Sequence, residues 1–114
     1  MSWFRRLVVS VRHWLSPRLI ALRVEELPDL LTARSIYLVG ENDPWQAAFH
    51  CPCGCGAVIQ LSLIPEDKPS WTASVHDDGT VTLFPSIWRK RNCKAHFFVR
   101  RGKVEWTRDS GQQG

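Results

Sequence analysis

Residues 51–56 read Cys51-Pro52-Cys53-Gly54-Cys55-Gly56, which places three thiols close together and a glycine after two of them. Alternate residues of an extended segment lie on one face about 6.6 Å apart, and glycine lets the backbone curl, so the three thiols can turn toward one centre. Further along the chain, Cys93 and His96 add a thiol and an imidazole. Two short groups of donors on separate elements are how structural zinc sites are usually built.

The cysteine cluster therefore predicts one structural zinc ion, with ligands drawn from Cys51, Cys53, Cys55, Cys93 and His96. Zinc takes four ligands in such sites, so one of the five candidates is expected to lie outside the coordination shell, and the sequence does not select it. Three alternatives are open. A disulfide within a C-x-C pair is strained, iron–sulfur spacings match less well, and core cysteines explain single positions rather than a cluster.

The sequence after the cluster predicts strands and hairpins. Apolar and polar residues alternate over residues 57–63, the period of a half-buried strand. Two further segments are typical of hairpins, because Asp-Gly and Arg-Gly pairs suit the positive φ of tight turns. These hairpins pair residues 71–75 with 81–84 across Asp78-Gly79, and residues 96–100 with 103–106 across Arg101-Gly102. Residues 35–39 predict another short strand.

The predicted fold class is mostly β: a small antiparallel sheet domain with a zinc-bound loop cluster and an N-terminal amphipathic helix. Apolar residues from Phe4 to Leu15 recur at helical spacing, and Ser16-Pro17 ends that pattern. We accordingly expect an amphipathic helical extension over residues 1–22, a zinc-binding β domain over 23–107 and a disordered tail over 108–114. The helix is expected to cover the sheet in preference to contacting a membrane surface or a partner.

The composition is that of one ordinary globular domain. The chain has 114 residues, of which 44% are hydrophobic and 23% charged. It opens without the apolar segment and cleavage site of a secretory signal, and no apolar run approaches the ~18 residues of a membrane span. These features predict a cytoplasmic protein in a reducing compartment, where metal binding by cysteines is favoured over disulfides.

The net charge of +4 is unevenly distributed. Between residues 24 and 87 acids outnumber bases, whereas both flanking segments are basic. Two interpretations are open: a solvated basic surface, which is the commoner case, and an anionic partner at the basic ends. Nucleic acid is one such partner, because Phe97 and Phe98 lie among the basic residues and could stack on bases. The candidate phosphate contacts are Arg89, Lys90, Arg91, Lys94, Arg100 and Arg101.

Known catalytic motifs give little support for an enzyme. The sequence lacks the zinc-protease and zinc-deaminase spacings, a phosphate-binding glycine loop and a G-x-S-x-G elbow. A cysteine nucleophile could be drawn from Cys93 and His96, but zinc ligation explains that pair better. We therefore name no catalytic residue from the sequence, and a zinc-dependent enzyme is the second alternative after nucleic-acid binding.

Several motifs together resemble a known family over residues 23–107. They are residues 24–30 (Val-Glu-Glu-Leu-Pro-Asp-Leu), the strand with Tyr37, the 51–56 cluster, Trp71, residues 79–88 (Gly-Thr-Val-Thr-Leu-Phe-Pro-Ser-Ile-Trp), residues 93–98 (Cys-Lys-Ala-His-Phe-Phe) and residues 102–106. In this order they resemble an uncharacterised family of small bacterial and phage proteins, some of them encoded beside bacterial ubiquitin-like conjugation components. The resemblance implies a zinc-binding fold and a protein partner. The expected function is an interaction adaptor, or an accessory or ligase-like factor of such a system.

Overall fold

A computed structural model describes residues 18–89 and 93–110, which form eight β-strands arranged as two four-stranded sheets. Within these residues the chain has no helix, and therefore no helix that could cross a membrane. The strands are β1 Ile20–Val24, β2 Ser35–Val39, β3 Gln46–His50, β4 Val58–Ser62, β5 Thr72–Val75, β6 Val81–Trp88, β7 His96–Arg100 and β8 Lys103–Trp106. The mostly β prediction is confirmed.

The first sheet has the order β1-β2-β3-β4. Strands β2, β3 and β4 are antiparallel neighbours, but β1 pairs with β2 in parallel, with Leu22 opposite Tyr37. The predicted antiparallel pairing therefore holds for most of the strands and needs correction at this edge. A parallel pair requires a crossover, and residues 25–34 supply it.

The second sheet has the order β5-β6-β7-β8 and is antiparallel throughout. Both predicted hairpins are confirmed. In the first turn the Asp78 carboxylate accepts hydrogen bonds from the backbone N–H and the hydroxyl of Thr80. In the second turn Arg101 and Gly102 both have positive φ, at 48° and 77°.

The two sheets share one hydrophobic core. The rings of Phe49 on β3 and Phe97 on β7 meet edge to face, with centroids 6.3 Å apart, and both side chains are fully buried. On β6 the buried residues are Val81, Leu83 and, beyond an irregularity in the strand, Ile87. The residues between them are more exposed. The inward face of this sheet is therefore core, and its outward face is available to solvent.

The structure changes both ends of the predicted domain. Strand β1 begins at Ile20, inside the predicted helical extension over residues 1–22, so residues 20–22 are strand and not helix. The amphipathic helix predicted between Phe4 and Leu15 lies outside the described residues. At the other end, Ser110 is buried, so the prediction of disorder does not hold for residues 108–110. Residues 111–114 of the predicted tail are not among those described.

Candidate functional site

The four cysteines come together at one end of the sandwich. Cys51 directly follows β3, and its backbone N–H donates to the carbonyl of Ala57, which closes the loop that carries Cys53 and Cys55. Gly54 and Gly56 have φ of 86° and 85°, a conformation that glycine adopts without steric cost. The fourth thiol, Cys93, lies just before β7. All four sulfurs lie within 4.8 Å of one another.

The spacing of the sulfurs fits a tetrahedral metal site. Cys51 Sγ lies 3.3 Å from Cys53 Sγ and 3.6 Å from Cys93 Sγ, and no disulfide joins any of the four cysteines. Zinc–sulfur bonds of about 2.3 Å at tetrahedral angles separate neighbouring sulfurs by about 3.8 Å. The four-cysteine group can therefore hold a metal ion with small adjustments of its side chains.

The charges around the thiols also suit a metal. The Arg89 guanidinium donates to Cys55 Sγ at 3.4 Å and to Cys93 Sγ at 3.3 Å. Burial raises the pKa of the Cys53 thiol to about 12, whereas hydrogen bonds from the Ala57 backbone and from Cys53 lower the pKa of Cys55 to about 6. Opposed shifts of this kind arise when thiols crowd around one point. A bound cation would favour the thiolate form of all of them.

His96, the fifth predicted metal ligand, lies apart from this group. Both of its ring nitrogens are engaged elsewhere: Nε2 lies 3.0 Å from Ser86 Oγ, and Nδ1 lies 2.7 Å from Asp109 Oδ1. The group that could hold a metal ion therefore consists of the four cysteines, without His96.

Ser86, His96 and Asp109 form a continuous hydrogen-bonded chain. An ionised carboxylate only accepts hydrogen bonds, so Asp109 requires the proton of a neutral His96 to be on Nδ1. Nε2 is then an acceptor that points at the Ser86 hydroxyl. A serine hydroxyl bonded to an imidazole that a carboxylate orients is the arrangement that activates the nucleophile of serine hydrolases.

Neighbouring groups hold the histidine and the aspartate. The Trp88 ring stacks on the His96 ring with centroids 4.5 Å apart and an interplanar angle of 4°. The Thr107 hydroxyl donates to the Asp109 carboxylate and lies 3.1 Å from the His96 carbonyl oxygen. That hydroxyl is the main reason why the pKa of Asp109 is lowered, with His96 contributing further. The backbone N–H of His96 donates to Ser110 Oγ at 3.1 Å.

Strand geometry explains why these three residues meet. The register of β6 against β7 shifts between Leu83 and Ile87, and Ser86 lies within this irregular stretch. Bulges redirect side chains and are frequent at active sites. His96 begins β7 and lies opposite Trp88, on the outward face of the sheet, and Asp109 follows the end of β8.

The thiol group and the Ser86–His96–Asp109 chain share the β6–β7 connection. The backbone N–H of Arg89 donates to the carbonyl of Ala95 at 2.7 Å, which closes the connection beyond the paired strands. Arg89 follows Ser86 by three residues, and Cys93 precedes His96 by three. The arginine that contacts the sulfurs is thus part of the connection that joins the strands of the serine and the histidine.

One of the two aromatic side chains that the sequence offers for stacking on nucleic-acid bases is inside the protein. Phe97 is fully buried in the core and unavailable for stacking on bases. Arg100 packs over the Phe98 ring at 4.3 Å and forms an ion pair with Glu105, while Arg89 contacts the sulfurs. Lys90 and Arg91 lie outside the described residues.

Sequence reasoning missed Ser86 and Asp109. No short motif marks them, because the three residues lie on β6, at the start of β7 and after β8. Asp109 lies in the predicted tail, and the spacing of His96 from Cys93 predicts a metal ligand. The usable signal was Ser86 itself, which lies inside the 79–88 motif that carries the family resemblance.

Comparison with known proteins gives a family match over the part of the chain that contains the thiol group and most of the Ser86–His96–Asp109 chain. The family model described as "Bacterial ubiquitination-like system serine protease (BubE)" matches residues 23–107. This range contains the four cysteines, Ser86 and His96, and it ends two residues before Asp109. Neither a curated protein nor a solved structure matches the chain.

Proposed function

The chain belongs to the family of bacterial ubiquitination-like system serine proteases (BubE), and from this premise we propose that it hydrolyses a peptide bond in a protein of such a system. The observation that carries the proposal is the hydrogen-bonded chain Ser86–His96–Asp109, with distances of 3.0 and 2.7 Å. The family name supplies the reaction class, and the geometry supplies the three residues.

The proposed reaction follows from the hydrogen bonds. Ser86 Oγ attacks the carbonyl carbon of the scissile bond while His96 Nε2 accepts its proton. Asp109, held by Thr107, stabilises the imidazolium that forms. His96 then gives the proton to the leaving amine, which departs and leaves an ester on Ser86. Water, deprotonated by His96, hydrolyses that ester and restores the hydroxyl.

The direct test is covalent labelling of Ser86. A fluorophosphonate reacts with a serine only when a neighbouring base activates it, so wild-type protein should gain one label, which peptide mass spectrometry should locate at Ser86. Ser86→Ala should abolish the label. Ser74→Ala, which removes an exposed hydroxyl from β5, should leave labelling unchanged. An unlabelled wild type, or a label that persists in Ser86→Ala, would refute the assignment.

Hydrolysis is tested on proteins of the host's ubiquitination-like system. The ubiquitin-like protein, supplied both free and as conjugates, should be cleaved by wild type, with a rate loss of at least about 10³-fold in Ser86→Ala. The sequence-based expectation of an adaptor without catalysis makes the opposite prediction, because binding of a partner would survive the loss of one hydroxyl.

For the thiol group we propose one structural zinc ion, bound by Cys51, Cys53, Cys55 and Cys93. Four thiolates favour zinc among the common divalent metals, and a site with four protein ligands leaves no open position for substrate. The metal would fix the 51–57 loop to the β6–β7 connection. Cysteines that bind a metal and form no disulfide are typical of a reducing compartment, which supports the expected cytoplasmic location.

A further inference from the structure

An open cleft lies at the start of β5, the strand that pairs with the strand carrying Ser86, and neither the proposed reaction nor the metal group uses it. Its volume is about 470 Å³. Its walls come from both sheets: Trp45 just before β3, Leu63 and Ile64 just after β4, and Trp71 just before β5. Clefts of this size, lined mainly by apolar side chains, are where proteins usually bind ligand groups.

The cleft concentrates exposed apolar surface. Trp45 is 49% exposed and Ile64 is 38% exposed, and both line the same concave surface. Single exposed apolar residues are ordinary, but a contiguous set in a concavity marks a site of interaction.

Trp71 connects the cleft to the nucleophile. Its indole N–H donates to the backbone carbonyl of Ser86 at 3.2 Å, while the same side chain lines the cleft. Strand β5 begins at Thr72, which pairs with Phe84 of β6. Because β6 continues beyond Phe84, Trp71 lies next to the part of β6 that β5 leaves unpaired. Trp71 thus contacts the backbone of the proposed nucleophile and also forms part of the cleft wall.

The chemistry of the walls indicates which substrate group enters. Two indoles and two aliphatic side chains select a large apolar side chain. Asp43 lies at the rim, and residues 24–87 carry an excess of acids over bases, so acidic residues beside that side chain are disfavoured. We propose that the cleft is a specificity site that binds a large apolar side chain of the polypeptide substrate, close to the bond that Ser86 cleaves. This proposal rests on the proposed function.

The test uses a synthetic peptide library with every residue type at each position, cleaved by the full-length protein and read by sequencing of the products. Wild type should enrich large apolar residues at one fixed position near the cleaved bond. Trp45→Ala and the milder Ile64→Thr should each lower kcat/KM for peptides with that residue by about tenfold or more, since apolar contacts discriminate on this scale. Leu30→Ala removes an 87% exposed leucine outside the cleft and serves as the control.

Fluorophosphonate labelling separates the two proposals. The probe reports the reactivity of Ser86 without occupying the cleft, so both cleft variants should label at the wild-type rate. If labelling is normal, three results overturn the specificity site alone. They are the absence of an apolar preference, no cleavage of any library peptide, or an apolar preference that both variants retain. Absence of labelling in wild type contradicts the proposed function and the specificity site together.

Discussion

The role of Asp109 depends on the groups that its carboxylate contacts. Its side chain is 56% exposed, yet it lies 2.7 Å from His96 Nδ1 and accepts a hydrogen bond from Thr107. An exposed carboxylate gains little from a charge partner alone. Its contribution is therefore expected to be the orientation and tautomer of His96 more than stability.

Replacing Asp109 by asparagine tests that role. The amide can donate to His96 Nδ1 and thereby favour the tautomer in which Nε2 carries the proton, which leaves Ser86 without a base. We expect the rate of fluorophosphonate labelling to fall by roughly 10³- to 10⁴-fold, with little change in the far-ultraviolet circular dichroism. Arg108→Gln, a charge change at the adjacent exposed residue, is the control. Labelling within a few-fold of wild type in Asp109→Asn would rule out an orienting role.

The lowered pKa of Asp109 also predicts a pH dependence of stability. The folded protein holds this pKa below its unfolded value of about 3.9, chiefly through the Thr107 hydroxyl. The stabilisation is therefore complete above pH ~4 and is lost as the pH falls through the folded pKa. The difference in melting temperature between wild type and Asp109→Asn should be largest near pH 7 and should shrink below pH 4. A difference that grows with acidification would contradict this linkage.

At the scale of elements, the β7–β8 turn joins the second sheet to the segment before β1. Leu19 N–H donates to the carbonyl of Gly102, and Gly102 N–H donates to the carbonyl of Val81, both at 2.8 Å. Gly102 has a φ of 77°, and a Cβ atom there would lie 2.8 Å from the Leu19 carbonyl oxygen. This glycine is required for its conformation and for the close approach of the other backbone.

Gly102→Ala should therefore destabilise the protein more than Gly79→Ala. Gly79 has a similar φ of 85°, but a Cβ there meets only Ile20 Cγ2 at 3.6 Å. The control should cost about 1–2 kcal/mol for the left-handed conformation alone. Gly102→Ala adds a backbone clash, so we expect a loss of about 3 kcal/mol or more in the free energy of unfolding. Chemical denaturation measures both losses. Equal losses would show that the backbone at Leu19 moves away from the added Cβ without a cost in free energy.

At the scale of the whole molecule, the proposed metal joins the two sheets through loops. Cys51, Cys53 and Cys55 follow β3 of the first sheet, and Cys93 precedes β7 of the second. A metal bound only by the folded protein stabilises it by its binding free energy. The Ser86–His96 pair lies on the strands that the β6–β7 connection joins, so metal removal should affect both stability and labelling.

We expect purified protein to contain about one zinc ion per chain. A strong chelator should remove the zinc, lower the melting temperature by about 10 °C or more and slow the labelling of Ser86. Zinc added back should restore both. Cys53→Ser should reproduce the chelated state, whereas Ser74→Ala should behave as wild type. A metal content far below one per chain, or full stability after chelation, would exclude a structural zinc.

The sequence by itself determined the local elements. The alternation of apolar and polar residues and the Asp-Gly and Arg-Gly turns predicted the strands around both hairpins. The closely spaced cysteines predicted a metal-binding group. These features depend on neighbours in the chain, which is why a sequence displays them.

Only the tertiary structure decided the rest. The parallel pairing of β1 depends on a partner strand beyond a crossover, and the burial of Phe97 depends on a facing sheet. The separation of His96 from the thiols has the same origin. Cys93 precedes β7 and contacts the cysteine loop, whereas His96 lies on the outward face of β7, where Ser86 of β6 and the segment after β8 supply its partners. Spacing along the chain limits which residues can meet, but strand register and sheet packing determine which ones do.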